Sequence, residues 1–331
     1  MINAAIVGLG WWGKNIVNAI QGKSQKIQFI HGVSQEPDTV QAFAREKNFT
    51  LSQSLDEALA DPRVQAVAIA TPHSTHRALV EAVARAGKPV FCEKPFALLA
   101  ADALAMTQAC QAHQLPIAVG QNKRFWPSMN ELRKVVASGV LGKILHVEGH
   151  YSNENSSNFF APWRDLPSET PGAGMTGTGI HILDAFTQLA GPVAQINAQF
   201  ISTRSGANPL DTVSVLFRFH NGVSGFLGAV RASPFYWRVH VFGDQGSVEA
   251  IGETDCITRL SHPDGYKTEH KSMPKIDSLL AEFDHFADAV CGVAPYPITP
   301  AEIVNTIACF EAITQSIETQ KPVHLGLGQA Q

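Results

Sequence analysis

The chain has 331 residues, of which 45% are hydrophobic and 16% are charged. That length allows about two domains, and the composition is typical of a globular protein with a buried hydrophobic core. The 29 acidic residues outnumber the 25 lysines and arginines, so the formal net charge is -4, which argues against nucleic acid or an anionic membrane surface as a partner.

Cysteine spacing and hydropathy indicate the cellular setting. The five cysteines are widely spaced and form no C-x-x-C pair, so the sequence predicts neither a disulfide framework nor a zinc site. No apolar run approaches the roughly 18 residues that a membrane helix needs. We therefore expect a soluble cytoplasmic protein, and we expect no metal site because His, Asp and Glu also lack ligand spacing.

The first 122 residues alternate short apolar segments with longer amphipathic ones. Segments such as INAAIVG, VQAVAIA and KPVFCEK have the pattern of strands, and helical patterns such as THRALVEAVARAG lie between them. Continuous apolar strands separated by helices are typical of a parallel sheet that is covered on both faces. The sequence thus predicts an α/β fold whose first domain, residues 1–122, is a doubly wound Rossmann sheet.

From residue 123 onwards the pattern changes to half-exposed strands. One helical segment, PSMNELRKVVASG, precedes alternating segments such as ILHVEGHYS and TVSVLFRFHNGVSGFLGAV, with tight turns at HNG and GDQG. These features predict an antiparallel sheet in a second, α+β domain over residues 123–331. Two helices close the chain: one covers Ser278–Val290, and the other starts at Thr299, with Pro300 and Glu302 completing its capping signal.

A glycine-rich turn follows the first predicted strand. In AAIVGLGWWGKN, Gly8, Gly10 and Gly13 have G-x-G-x-x-G spacing, and Trp12 lies inside the motif. The first glycine permits a tight turn, the second lets a pyrophosphate approach the backbone, and the third allows the next helix to pack closely. Because a strand precedes the motif and a βαβ pattern follows it, we predict that these four residues bind a dinucleotide.

The end of the second predicted strand bears on the choice between NAD and NADP. An acidic residue there would hold the ribose 2′-hydroxyl of NAD, but FIHGVSQEPD places Ser34 at this point. A hydroxyl does not repel a 2′-phosphate, so Ser34 favours NADP slightly. Against this, no arginine follows immediately, and Glu36 is only two residues away. The cofactor is therefore written NAD(P).

Polar residues also end three other predicted strands. Ligands of a doubly wound sheet bind at the carboxyl ends of its strands, so Lys94, at the end of KPVFCEK, should point to the nicotinamide. The alternative is an exposed lysine paired with Glu93. The predicted cofactor contacts at these strand ends are Thr71, Pro72, Glu93, Lys94 and Gln121, and Asn122 is predicted to contact the nicotinamide or the substrate.

Five further residues have weaker signals. Trp163 and Arg164, in APWRDLP, offer an aromatic face beside a guanidinium, which suits a polyol or an acid sugar, although ordinary loop packing explains them equally well. His73 and His76 follow Pro72 directly, and we assign them helix-cap or surface roles. Ser74 is expected to cap the helix that starts there.

Three segments together carry a resemblance to a known family. GLGWWG, ATPHSTHRALVEAVARAGKPVFCEKP and GVLGKILHVEGHY, in this order, resemble the glucose-fructose oxidoreductase, inositol 2-dehydrogenase and rhizopine catabolism (Gfo/Idh/MocA) family. The resemblance implies a Rossmann domain followed by a domain with a large, mostly antiparallel open sheet that commonly forms dimer or tetramer contacts. It also implies hydride transfer between a nicotinamide and a hydroxyl-bearing carbon of a sugar, inositol or related polyol.

The resemblance implies roles for particular residues. Lys94 corresponds to the lysine that hydrogen-bonds the reacting hydroxyl, His181 to the histidine that acts as general acid and base, and Asp184 to the acidic residue that often follows it. One position departs from the family pattern, because Gly177 stands where an aspartate usually precedes that histidine. Thr178 and Asp184 are candidates to orient the substrate in its place.

The expected partners follow from this reading. We expect a small polyol or sugar as substrate, no nucleic acid or membrane, and a homodimer or homotetramer formed through the second sheet. Two other functions stay open: a nucleotide-sensing regulator without catalysis, and a glycosidase that uses NAD for transient oxidation. Lys94 and His181 together oppose the first of these.

Overall fold

The structure is a computed structural model, and it describes residues 1–153, 162–166, 168–172, 175–201, 211–231 and 233–326. The chain divides into two compact units. The first contains residues 1–122 and 277–304, and the second contains residues 123–276 and 305–331. The domains predicted from the sequence were 1–122 and 123–331, so the structure differs by assigning residues 277–304 to the first unit.

A six-stranded parallel sheet forms the centre of the first unit. Its strands are β1 (Ile2–Val7), β2 (Ile27–Val33), β3 (Thr50–Ser52), β4 (Ala66–Ile69), β5 (Val90–Glu93) and β6 (Ile117–Gly120). They lie in the order β3-β2-β1-β4-β5-β6, and every neighbouring pair is parallel. This order reverses direction between β1 and β4, which is where doubly wound sheets bind their ligands. The predicted Rossmann sheet is confirmed.

Helices connect these strands and cover the sheet. They are α1 (Trp11–Ile20), α2 (Pro37–Lys47), α3 (Leu55–Ala60), α4 (His76–Arg85) and α5 (Ala100–Ala112). All four residues of β4 and of β5 are buried, which shows that these strands are covered on both faces of the sheet. Their near-continuous apolar sequence is the pattern that such two-sided burial requires.

The second unit contains a nine-stranded sheet. Its strands are β7 (Ile144–Ser152), β8 (Val193–Ile201), β9 (Thr212–Phe219), β10 (Ser224–Val230), β11 (Tyr236–Gly243), β12 (Gly246–Ile251), β13 (Asp255–His262), β14 (Gly265–Ser272) and β15 (Val323–His324). They lie in the order β14-β13-β12-β11-β7-β10-β9-β8-β15, and only β7 and β10 pair in parallel within this sheet of described residues. The predicted large, mostly antiparallel sheet is confirmed.

Four helices complete the described chain. They are α6 (Pro127–Ala137), α7 (Ile180–Ala190), α8 (Ser278–Val290) and α9 (Pro300–Thr319). The bounds of α8 agree with the sequence prediction. The predicted start of α9 is also confirmed, because Glu302 accepts from the backbone N–H of Thr299 at 2.8 Å and donates its own N–H to the Thr299 hydroxyl at 3.2 Å. Such a reciprocal pair satisfies two otherwise free donors.

Aromatic packing explains why α8 belongs to the first unit. The ring of Phe283 stacks on Phe91 of β5 with centroids 4.2 Å apart, and it meets the edge of Phe29 of β2 at 5.9 Å. After α8, the Tyr296 hydroxyl donates to the carbonyl oxygen of Val119 in β6 at 2.9 Å. The last helix-and-turn segment of this unit therefore packs on side chains and backbone of β2, β5 and β6.

None of the helices in the described part of the chain is long and apolar enough to span a membrane.

Candidate active site

The glycine turn between β1 and α1 has the geometry of a dinucleotide cradle. Gly8 adopts a φ of +93°, and its N–H donates to the Val33 carbonyl at 2.9 Å. A Cβ atom on Gly13 would collide with the carbonyl oxygen of Gly8, so only glycine lets α1 start this close to the turn. A Cβ atom on Gly10 would meet nothing within 4 Å. Open space above Gly10, at a helix N-terminus, fits a pyrophosphate group.

Two tryptophans border this turn. Trp12 was predicted from the motif, and it is half-buried at the start of α1. Trp11 was not singled out, yet its side chain is 49% exposed and its ring centroid lies 5.5 Å from that of Trp12. An exposed indole at the N-terminus of α1 is a candidate contact for the cofactor or the substrate. Two consecutive aromatic residues inside a glycine motif were the signal that could have identified it.

Ser34 is the first residue after β2. The strand ends at Val33, the Ser34 N–H donates to the Ser52 carbonyl at 3.0 Å, and the Ser34 hydroxyl accepts from the Glu36 N–H at 3.2 Å. Glu36 is exposed and directly precedes α2. The strand end therefore carries a hydroxyl and not a carboxylate.

The carboxyl ends of β4, β5 and β6 bring the remaining predicted cofactor contacts of the first unit to one edge of the sheet. The residues that follow or end these strands are Thr71, Pro72, Glu93, Lys94, Gln121 and Asn122. Gln121 and Asn122 are buried, and the Asn122 side chain donates to the Ser278 hydroxyl at the start of α8 at 3.3 Å. The sequence did not predict this contact with α8.

Lys94 is held by its neighbour in β5. Its backbone N–H donates to Oε2 of Glu93 at 3.1 Å, and the Glu93 side chain is buried. A Cβ atom on Gly120 of β6 would come within 2.7 Å of Oε1 of Glu93, so the carboxylate occupies the space that this glycine leaves. Lys94 itself is half-buried.

The turn after β4 corrects one sequence assignment. His73 and His76 are both buried, whereas helix-cap or surface roles were expected. His73–Thr75 form one 3-10 turn, α4 begins at His76, and the residue that precedes α4 is Thr75 and not Ser74. The prediction failed because contacts with residues 95 and 96, distant in sequence, decide the burial of this segment.

In the second unit, a single π-helical turn leads into the helix that carries His181. The turn covers Met175–Gly179, and α7 follows without interruption. A Cβ atom on Gly149 of β7 would collide with Ile182, so α7 lies directly on the sheet at this glycine. His181 is buried, and its ring centroid lies 6.1 Å from that of Tyr151, also in β7.

An aromatic cluster adjoins His181, and the sequence analysis did not predict it. Tyr151 contacts Trp237 with centroids 5.4 Å apart, and Trp237 contacts Trp126 at 5.1 Å. The ammonium of Lys123 lies 4.0 Å from the Trp126 ring centroid and 5.8 Å from that of Tyr151. Burial raises the pKa of the Tyr151 phenol, so this hydroxyl is neutral near pH 7 and available as a hydrogen-bond donor. Lys123 directly follows the predicted residue Asn122, which was the available signal.

A buried ion pair fixes Asp184 of α7. Nε and Nη2 of Arg124 donate to the two carboxylate oxygens at 2.7 and 3.0 Å, and both side chains are 3% exposed. A two-pronged contact of this kind is strong and directional. Asp184 was predicted to orient the substrate, and that role stays a prediction; both of its oxygens accept hydrogen bonds from Arg124.

The other predicted substrate contacts also lie in the second unit. Thr178 is buried in the π-helical turn, next to the half-buried Gly177, where an added Cβ atom would meet nothing within 4 Å. Trp163 and Arg164 lie in a 3-10 turn, and the guanidinium carbon is 4.5 Å from the Trp163 ring centroid. These two side chains thus stack on each other, as a cation on an aromatic face.

Among the described residues, no group of three or more His, Cys, Asp or Glu side chains is arranged to hold a metal ion.

Comparison with protein families gives two matches of the same origin. Residues 2–121 match the oxidoreductase family with an NAD-binding Rossmann fold, GFO/IDH/MocA. Residues 129–249 match the GFO/IDH/MocA C-terminal domain. The first match lies in the first unit and the second match lies in the second unit.

Relatives and solved structures agree with these matches. The chain is 30% identical over 158 residues to an uncharacterised oxidoreductase of Schizosaccharomyces pombe. This alignment covers 47% of this chain and 42% of that protein. It is 28% identical over 272 residues to inositol 2-dehydrogenase of Corynebacterium glutamicum, which covers 80% and 75%. Levoglucosan dehydrogenase, solved with NADH and L-sorbose, has the same fold, with a TM-score of 0.88, 20% identity and coverage of 98% and 99%.

The ion pair between Arg124 and Asp184 predicts a large stability effect. Asp184→Leu leaves a buried guanidinium without its carboxylate, which should lower the free energy of unfolding by about 3–5 kcal/mol. The double variant Arg124→Leu/Asp184→Leu should recover much of this loss, since it buries no charge. Urea denaturation of each variant measures both values.

A matched control is Asp264→Leu, because Asp264 is an exposed aspartate of the same unit; it should change stability by less than about 0.5 kcal/mol. A loss below about 1 kcal/mol for Asp184→Leu would show that the pair does not stabilise α7.

Proposed function

Because this chain belongs to the Gfo/Idh/MocA family of oxidoreductases, we propose that it transfers a hydride between NAD(P) and a hydroxyl-bearing carbon of a sugar, inositol or related polyol. The observation that carries the proposal is the position of Lys94. It follows β5 on the same sheet edge as the open glycine turn, Gly8 to Gly13. A nucleotide laid on that turn would bring its nicotinamide to the carboxyl ends of the neighbouring strands.

Lys94 has a positive charge that can stabilise the alkoxide formed when an alcohol is oxidised. A nicotinamide held at this edge would accept the hydride of a secondary alcohol, and the alcohol oxygen beside Lys94 would then develop negative charge. A half-buried ammonium stabilises an alkoxide better than water does, because the site is preorganised and its dielectric constant is low. The contact between the Lys94 N–H and the Glu93 carboxylate sets the direction in which this side chain leaves the strand.

His181 supplies the proton transfer in this proposal. An imidazole changes its charge near neutral pH, so it can take the hydroxyl proton during oxidation and return it during reduction. Burial of His181 in the first turn of α7, against Tyr151, restricts the ring to few orientations. Arg124 and Asp184 support this arrangement by holding the next turn of the same helix.

The polyol class is favoured by a relative and by the side chains of the second unit. Inositol 2-dehydrogenase aligns with 80% of this chain. Thr178, Trp163, Arg164 and Asn122 offer a hydroxyl, an aromatic face, a guanidinium and an amide, which together can bind several neighbouring hydroxyl groups. We assign these four residues to the substrate, and we assign to Asp184 the support of α7.

The central experiment measures turnover of a panel of sugars, inositols and polyols with NAD and NADP. His181→Ala should lower kcat by about 100- to 10,000-fold, the usual contribution of a positioned acid or base. Lys94→Met should lower it by at least about 100-fold, since the alkoxide loses its preorganised cation. Both rates are followed by the absorbance of the reduced nicotinamide.

Exposed residues of the same types serve as controls, and Lys23→Met and His262→Ala should keep the wild-type kcat. Full turnover by both Lys94→Met and His181→Ala would refute the assignment. Cofactor binding without turnover would favour a nucleotide-sensing regulator, and cleavage of a chromogenic glycoside without net reduction would favour a glycosidase.

Ser34 carries the proposal that NADP is accepted. Its hydroxyl lies directly after β2, at the position where a carboxylate would repel the 2′-phosphate of NADP. Ser34→Asp should therefore weaken NADP binding by about tenfold or more, about 1.4 kcal/mol, and strengthen NAD binding, because a carboxylate at this point can hold the ribose 2′-hydroxyl. The shift in melting temperature with each nucleotide measures both affinities.

Glu36→Gln is the matched control, because this carboxylate lies beyond the end of the strand and is exposed. It should leave the preference unchanged. A wild-type protein stabilised by NAD but not by NADP would overturn the proposal for Ser34.

Gly177 allows a direct test of substrate choice. A Cβ atom there would meet no atom within 4 Å, so we expect Gly177→Asp to fold and to place a carboxylate four residues before His181. A hydrogen bond to a charged group contributes about 1.5–3 kcal/mol, so we expect the KM of a neutral polyol to fall by about tenfold. Gly177→Asn has the same shape without the charge, and an equal KM in both variants would show that the carboxylate is not used.

A further inference from the structure

The imidazole of His76 joins two loops at the ligand-binding edge of the first sheet. It is fully buried, with 0% of its surface exposed. Its Nδ1 lies 3.1 Å from the carbonyl oxygen of Pro95 and 3.2 Å from that of Phe96, in the loop after β5. Its Nε2 lies 3.1 Å from the carbonyl oxygen of Thr71, in the loop after β4. One side chain therefore connects the two loops that follow neighbouring strands.

The chemistry of these contacts is one-directional. Carbonyl oxygens only accept hydrogen bonds, so a ring nitrogen that carries hydrogen donates to the loop that it faces. The two sides of the ring are separable, because Nδ1 serves the β5 loop and Nε2 serves the β4 loop.

The β5 loop is the one that contains Lys94. Pro95 and Phe96 follow it directly, and Phe96 is buried. On the other side, the Lys94 N–H is bound by the Glu93 carboxylate. The chain is thus held on both sides of Lys94. Glu93 accepts from the Lys94 N–H, and His76 contacts the carbonyl oxygens of Pro95 and Phe96, the two residues that follow.

Hydrogen bonds within the β4 loop also hold its turn together. The Thr75 hydroxyl donates to the Pro72 carbonyl at 2.7 Å, and the Thr71 and Thr75 hydroxyls are 2.7 Å apart. His76 follows Thr75, so its ring projects from a turn whose position is already fixed. A side chain that is anchored in this turn can determine the position of the loop after β5.

We propose that His76 is the positioning residue of the reaction: it sets the place of the Lys94 ammonium through the Pro95 and Phe96 carbonyls, and that of the cofactor-facing turn through the Thr71 carbonyl. This inference rests on the proposed function of Lys94. His76 acts through these backbones and exchanges no proton with the substrate. Displacement of a reacting group by about 1 Å can cost about 100-fold in rate, which gives the expected scale.

Three variants separate the two sides of the ring. His76→Leu donates to neither loop, His76→Asn places an amide N–H near the position of Nδ1, and His76→Gln places one near the position of Nε2. His76→Leu should lower kcat by about 100-fold. His76→Asn should regain most of kcat but raise the KM of the cofactor. His76→Gln should keep a low kcat but have a KM for the cofactor near that of the wild type. Equal kcat and KM values in the Asn and Gln variants, or a kcat for His76→Leu within about twofold of wild type, would overturn the proposal.

His31→Leu is the matched control. His31 is also a buried histidine of the first unit, and its Nε2 lies 2.9 Å from the Ser52 hydroxyl. Its loss should lower the melting temperature while kcat at saturating cofactor is unchanged. A comparable fall in kcat for His31→Leu would show that any buried histidine of this sheet has the same effect, which would contradict a specific role for His76.

A second measurement is independent of turnover. The rate at which acetic anhydride acetylates Lys94, relative to Lys23 in the same sample, is read from peptide masses. We expect the Lys94 rate to change severalfold in His76→Leu but not in His31→Leu, and an unchanged rate would overturn the proposal. If the wild-type protein oxidises no polyol, the proposed function fails, and this labelling experiment still decides the role of His76.

Discussion

The parallel pairing of β5 with β4 and β6 is the constraint on which the candidate site of the first unit depends. Parallel strands all end at the same edge, so Thr71, Lys94 and Gln121 become neighbours although 23 to 27 positions separate each from the next along the chain. The same geometry leaves the loops after these strands without regular pairing. Side chains must therefore fix them, and Glu93 and His76 do so from opposite sides of Lys94.

Close approach has the corresponding role in the second unit. A glycine in β7 lets α7 lie on the sheet, and the buried pair of Arg124 and Asp184 prevents the helix from rotating. Burying two charges is costly unless their geometry is good, so the pair contributes orientation more than net stability. His181, in the first turn of the same helix, is buried against Tyr151.

Local patterns predicted most of the fold. The apolar run of β2 predicted the place of Ser34, and the Thr299 and Glu302 spacing predicted the start of α9, because each depends on neighbours within a few residues. The pair of Arg124 and Asp184, 60 positions apart, was not predicted. His76 was misassigned because the carbonyls that bury it lie 19 and 20 positions away. Contacts between separate elements have no periodic signature in a single sequence.

The place of α8 in the first unit also bears on how the protein is made. Phe91 and Phe29 pack against Phe283 in the folded protein, and the ribosome adds Phe283 almost 200 residues after Phe91. N-terminal segments generally fold first during synthesis, but here Phe91 and Phe29 of the emerging sheet lack their contact with α8 until residues 123–276 have been translated. Nascent chains of this protein are therefore expected to need chaperone protection until α8 has emerged.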